Sequence, residues 1–149
     1  MDAFKFIKKE HDRMDKTFAE IADTTEQSGE KREELFEKLK KDLEIHMRIE
    51  EAILYPELKA HKKTEDKGYE GIAEHDVGKN LLREMDSMPK DNKEWTAKFD
   101  VLKESMEHHN KEEEDDLFPD ARKVLSQEKI DEMGEKLVDE KKKLEATVV

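Results

Sequence analysis

The sequence predicts an all-α protein: an antiparallel up-down four-helix bundle with a short fifth helix at the C-terminus. Two observations carry this. Apolar residues recur at helical spacing through five segments, and the helix breakers are few and fall between those segments. Composition supplies a third constraint. Of 149 residues, 47% are charged and only 34% hydrophobic, with 41 acids against 29 bases and a formal net charge of -12. Such a chain lies near the composition of disordered proteins, which bury too little apolar surface to offset ordering entropy. A disordered chain, however, has no reason to keep a period of about 3.6 residues. The charges therefore belong on the solvated faces of a bundle.

The first helix carries Phe4, Ile7, His11, Met14, Phe18 and Ile21 on one stripe, and Thr24–Glu30 reads as the loop that follows it. The second carries Leu35, Leu39, Leu43, His46, Glu50, Ile53 and Leu54, before a loop over Lys62–Gly71. The third carries Ile72, His75, Leu82 and Met85, before a loop over Met88–Asn92. The fourth carries Trp95, Phe99, Leu102, Met106, His109, Glu113, Leu117, Ala121 and Val124. Ser126 is placed to N-cap a fifth helix with Ile130, Met133, Leu137 and Leu144 on one face. Pro56 and Pro119 interrupt the second and fourth helices, where a kink or a stop is expected. A single domain over residues 1–149 is expected, with the bundle at about 3–124 and the last helix at about 127–146.

The chain repeats itself. His46-Met-Arg-Ile-Glu50-Glu51-Ala-Ile-Leu54-Tyr55-Pro56 aligns with His109-Asn-Lys-Glu-Glu113-Glu114-Asp-Asp-Leu117-Phe118-Pro119, and Glu10-His11-Asp12 aligns with Glu74-His75-Asp76. The spacing from His11 to His46 is 35 residues and from His75 to His109 is 34. With 26 glutamates in the chain, a lone His-x-x-x-Glu means nothing, and His108 with Glu112 forms one by chance. The match over the whole repeat is specific. It implies two helical hairpins, each carrying the same three polar residues.

Those residues interrupt apolar stripes. A core histidine can be explained by a hydrogen bond to a neighbour. A buried, unpaired carboxylate is harder to explain, because it costs several kcal/mol or takes up a proton. Glu50 and Glu113 each follow a histidine by one turn on the same face, and no Lys or Arg on the stripes is an obvious partner. At about 1.5 Å per residue, His11 and the pair His46/Glu50 lie at matching depths, roughly 23–29 Å from their shared loop. His75 and the pair His109/Glu113 match more loosely. His11, His46, Glu50, His75, His109 and Glu113 can therefore meet in mid-bundle. Six ligands without a thiolate exceed a tetrahedral zinc site, and imidazoles do not suit calcium. Mixed imidazole and carboxylate suits Fe, Mn or Zn. Two metals sharing both carboxylates is the arrangement favoured. One metal with six ligands, or a metal-free hydrogen-bonded core, are the alternatives.

These residues resemble the hemerythrin-like, or HHE cation-binding, family. Its pattern of His, His-x-x-x-Glu, His, His-x-x-x-Glu on four helices falls on His11, His46 with Glu50, His75, and His109 with Glu113. The Leu-aromatic-Pro tails match as well, and the resemblance covers roughly residues 3 to 124. It implies a bundle around two non-heme Fe ions, bridged by the two glutamates and a solvent-derived oxo or hydroxo group, with Zn or Mn as possible substitutes. Oxygen-carrying members have a further histidine where this chain has Lys79, and they end on Asp, five residues after a His, where this chain has Glu113 four after. Reversible oxygen carriage is therefore not implied. Iron–sulfur repair relatives carry a Cys-bearing segment, and this chain has no Cys.

The resemblance points to a protein that meets a small diatomic or oxidant (O2, NO or peroxide) in binding, sensing or stress protection. A catalase-like or oxidase activity, or iron storage or metal sensing, are the alternatives. The acidic balance argues against a nucleic-acid partner, and no segment approaches the apolar length of a membrane span or signal peptide. A soluble cytoplasmic protein is expected. Helical phase places Tyr55, Tyr69 and His108 off the ligand face. Glu51, Glu114, Glu10, Asp12, Glu74 and Asp76 read as solvated acids rather than as carboxylates that hold the imidazoles.

Overall fold

The computed structural model describes residues 1–147. Its five long helices are α1 (Ala3–Ala22), α2 (Gly29–Ile49), α4 (Glu65–Asp86), α5 (Lys93–Glu112) and α7 (Gln127–Thr147), and no strand occurs among the described residues. α1 packs against α2 and α4 against α5, while α7 lies along α1 and α2. This is the expected four-helix bundle with an added C-terminal helix. At 21 residues, that helix is as long as the others rather than short.

The capping chemistry fixes the starts. Asp2 accepts from the Phe4 and Lys5 amides at the head of α1, Asn92 accepts from the Trp95 amide at the head of α5, and Ser126 accepts from the Lys129 amide at the head of α7. Asp2 also receives both guanidinium arms of Arg122, at 2.9 and 3.0 Å, which ties the beginning of the bundle to its last turn.

Two expectations are corrected. Pro56 and Pro119 do not stop the helices. Each is preceded by a π-helical turn, π1 (Glu50–Leu54) and π2 (Glu113–Leu117), and followed by a short α-helix, α3 (Tyr55–Lys59) and α6 (Phe118–Val124). The Tyr55 amide reaches back five residues to the Glu50 carbonyl, and the Phe118 amide does the same to Glu113. The wider turn lets each helix restart with proline in its first turn, where no amide is needed. The loop expected over Lys62–Gly71 is also shorter, because α4 begins at Glu65. Gly71 is there for close approach, not for turning: a Cβ at this position would lie 2.5 Å from the Tyr55 hydroxyl.

The apolar core is divided. One cluster contains Phe4, Ile7, Ile45, Ile49, Leu54, Leu58 and Phe118 with Ile130, Met133 and Leu137 of α7. The other contains Met14, Phe18, Phe36, Leu39, Trp95, Phe99 and Met106. Buried Arg32 closes the loop end of this second cluster. It donates to Thr24, to the Lys90 carbonyl and to Thr96, with its guanidinium 5.1 Å from the Trp95 ring centre. Among the buried polar residues outside these clusters are the six candidate ligands.

Candidate metal centre

Those six are His11 of α1, His46 of α2, Glu50 at the start of π1, His75 of α4, His109 of α5 and Glu113 at the start of π2. None exceeds 4% exposure. They form two groups of four, His11/His46/Glu50/Glu113 and Glu50/His75/His109/Glu113, each with ligand atoms within 4.8 Å of one another. The carboxylates are common to both. The Nε2 atoms of His46 and His75 lie 3.3 and 3.1 Å from Glu50, and those of His11 and His109 lie 3.2 and 3.3 Å from Glu113. The structure thus brings together all six residues that the repeat singles out.

Proximity here is not hydrogen bonding. His11 Nε2, both His46 ring nitrogens, both Glu50 oxygens and one Glu113 oxygen are buried without a hydrogen-bond partner. Buried polar atoms of this kind carry a desolvation cost of about 1–3 kcal/mol each. No Lys or Arg pairs with Glu50 or Glu113 among the described residues.

The other side of the rings explains the arrangement. His11 Nδ1 lies 2.7 Å from Glu114, His75 Nδ1 2.7 Å from Glu51, and His109 Nδ1 2.7 Å from Glu74. A carboxylate accepts only, so each Nδ1 carries a proton, and a ring that gives up its Nε2 proton turns that lone pair inward. The Nε2 atoms of His75 and His109 then face each other at 3.1 Å. With both rings neutral, the two lone pairs would repel at that distance, so the contact calls for a proton or a metal cation between them. This donor set fits a divalent metal with imidazole and carboxylate ligands.

Here the sequence reading needs correction. Glu51, Glu114 and Glu74 are not solvated acids. They hold three of the four imidazoles, and the histidines in turn keep all three acids below the usual carboxylate range. Asp12 and Asp76 do face solvent, while Glu10 is buried against Arg13 and Lys141. Lys79, which stands where oxygen-carrying members have a histidine, rests its ammonium on Glu51 at 2.9 Å. Tyr55 is also misplaced by the phase argument. It is buried, and its hydroxyl donates to Glu113. Five α-helical residues after Glu50 would turn the ring away, but a π turn needs five residues to close and returns Tyr55 towards the same face. Leu-aromatic-Pro in both repeats is the signal in the sequence that marks these turns.

Charge in the metal-free cluster has a definite sign. Burial opposes the protonated form of His11, but Glu113 and Glu114 outweigh it and raise its pKa from 6.5 to about 9. Burial likewise opposes protonated His109, and Glu113 and Glu74 raise its pKa to about 11. Glu50 and Glu113 stay below the normal carboxylate range: burial pushes them up, and their histidines pull them further down. A folded pKa above the unfolded one stabilises fully below 6.5, and for His11 that contribution is lost as pH rises through about 9. The two acids stay ionised throughout this window and contribute a constant amount. A metal must displace the imidazole protons, so its affinity moves the opposite way. Between pH 6.5 and 9 the melting temperature of the chelated chain should fall while metal affinity rises. A binding curve that weakens with pH would show that no imidazole proton is displaced.

A helical bundle that encloses overlapping His/Glu ligand sets in its core defines a metal-binding protein. The hemerythrin HHE cation binding domain model matches residues 2–121, and the chain belongs to that family. A solved structure similar to this chain is a hemerythrin HHE cation binding domain-containing protein from Mycobacterium kansasii. It superposes with a TM-score of 0.86 at 25% identity, over 99% of this chain and 89% of that one. No curated protein matches in sequence. Among the described residues, no helix is long and apolar enough to cross a membrane.

Proposed function

We propose that the chain holds a dinuclear non-heme iron centre and uses it to meet a small diatomic or oxidant: O2, NO or peroxide. On this reading His11 and His46 hold one ion, His75 and His109 the other, and Glu50 and Glu113 span both. The observation that carries it is the sharing of the same two carboxylates by two otherwise separate histidine pairs. Two ions use every inward-facing donor, whereas a single ion would leave a histidine pair stranded. The iron would supply electrons and open positions for the small ligand. The protein supplies a dry, preset cage, with Glu51, Glu74 and Glu114 fixing ring orientation and basicity.

A second reading, peroxide consumption at the same centre, draws support from Tyr55. Burial, and then the charges of Glu113 and Glu50, hold its phenol proton well above the ordinary range, so a retained proton sits against a ligand oxygen. Metal quantification with optical spectra, before and after anaerobic reduction, tests the first reading. Two irons per chain with a near-ultraviolet charge-transfer band are expected, and fewer than two irons in fully loaded protein would overturn it. Oxygen released from peroxide by that sample, and lost in Glu113→Ala, decides the second. No release removes it.

A further inference from the structure

The residue immediately before each ligand of the second hairpin is itself a metal-ligand type: Glu74 before His75, His108 before His109 and Glu112 before Glu113. One residue along a helix turns a side chain by about 100°, so these three leave the core and gather on the outer face between α4 and α5. Ligand atoms of Glu74, His108 and Glu112 lie within 4.8 Å of one another, with His108 Nε2 and Glu112 Oε1 3.5 Å apart, so the His108/Glu112 spacing that reads as chance in the sequence is joined in the fold by a third donor. Their side chains are 23%, 66% and 33% exposed, which leaves the group open to solvent.

The internal repeat supplies a built-in comparison. The equivalent positions in the first hairpin are Glu10, Ile45 and Ile49. Ile45 and Ile49 are buried in the cluster that α7 completes, and Glu10 is taken by Lys141 of α7 and by Arg13. α7 therefore seals one side of the bundle. On the other side the same positions carry three donors in place of two isoleucines and a paired acid. A narrow crevice opens there, with Lys67, Glu74 and Glu112 towards solvent and His109, Glu113 and Tyr55 at its inner wall. Glu74 belongs to both layers, because one of its oxygens holds His109 Nδ1 at 2.7 Å.

We infer that Glu74, His108 and Glu112 form an outer capture site for a divalent transition cation, from which the ion passes down the crevice to the buried ligands. One imidazole and two carboxylates suit such a cation, and three ligands leave it positions for water, so it is held loosely enough to be released inward. Passage is ligand exchange: water and outer carboxylate are replaced by inner imidazole and carboxylate, and the displaced imidazole protons leave to solvent. This inference rests on the proposed buried centre, and its test separates the two.

The test uses the full chain, stripped by chelation and titrated with Zn2+ alone. Wild type should bind two tightly held ions and a third that exchanges readily. The double variant His108→Ala/Glu112→Gln should lose only the third. Transfer of Zn2+ from a chromogenic chelator to the buried sites should slow by about tenfold or more, the scale on which local charge raises on-rates. The charge control Asp115→Asn should load as wild type does, and equal melting temperatures of the metal-free chains show that each variant folds. Absence of an exchangeable ion in wild type, or an unchanged loading rate in the double variant, overturns the outer site. If instead His46→Leu leaves the count of tightly held ions unaltered, the buried centre fails, while any His108-dependent ion is still counted.

Discussion

Chelating the loaded chain should lower its melting temperature by roughly 15–30 °C. Two ions, each present at about a thousand times its dissociation constant, add about 8 kcal/mol, and each kcal/mol moves a chain of this size by about 2–4 °C. The structure gives the reason for expecting a drop at the upper end of what ligand loss does. Without a cation, the centre of the bundle holds two carboxylates less than 5% exposed, facing imidazoles with which several of their atoms make no hydrogen bond. The apolar clusters on either side cannot close over them, because they are separated by this polar layer. Differential scanning calorimetry of loaded, chelated and reloaded protein is the measurement. A chelated chain that melts where the loaded one does would mean that the six residues are satisfied without metal.

The second large effect is a loss of metal without a matching loss of metal-free stability, at one residue. His46 is buried, and neither of its ring nitrogens has a hydrogen-bond partner, unlike His11, His75 and His109, whose Nδ1 atoms are held by carboxylates. Leucine fills nearly the same volume without unsatisfied nitrogens. In the chelated chain the gain from removing two unsatisfied nitrogens, about 1–3 kcal/mol, is offset by the loss of the imidazole 3.3 Å from buried Glu50, so His46→Leu should leave the melting temperature nearly unchanged. Bound metal should fall by one ion or more per chain, and the loaded protein should become less stable than loaded wild type. Such divergence between metal-free stability and metal binding is expected of a residue kept for function. A large loss of stability in the chelated variant would instead make His46 a core residue whose contacts the fold requires.

Much of the centre was legible in the sequence because the repeat aligns its ligands without any knowledge of structure. His46, Glu50, Leu54 and Pro56 find counterparts in His109, Glu113, Leu117 and Pro119. Less legible was anything that depends on which acid of a crowded surface reaches which ring. Glu51 holds His75, and Glu114 holds His11 from a position 103 residues away. In a chain that is nearly half charged, no local pattern distinguishes these carboxylates from their solvated neighbours. The place of Tyr55 was misjudged for a different reason. Phase counting assumes an unbroken α-helix, and the π turn after Glu50 changes the count at the point where it matters.

By itself the sequence determined the helical class, because period and breaker placement are local properties. It also determined the candidate ligand set, because acids on an apolar stripe are anomalous wherever the helices go. Tertiary structure decided what those residues face. It set two histidine pairs against the same two carboxylates, and it gave three of the rings an outer carboxylate. It also laid α7 over one hairpin, leaving the other open at Glu74, His108 and Glu112. The physical reason is that a ligand's role depends on distances of a few ångströms between helices far apart in the chain, and no spacing along a single helix encodes them.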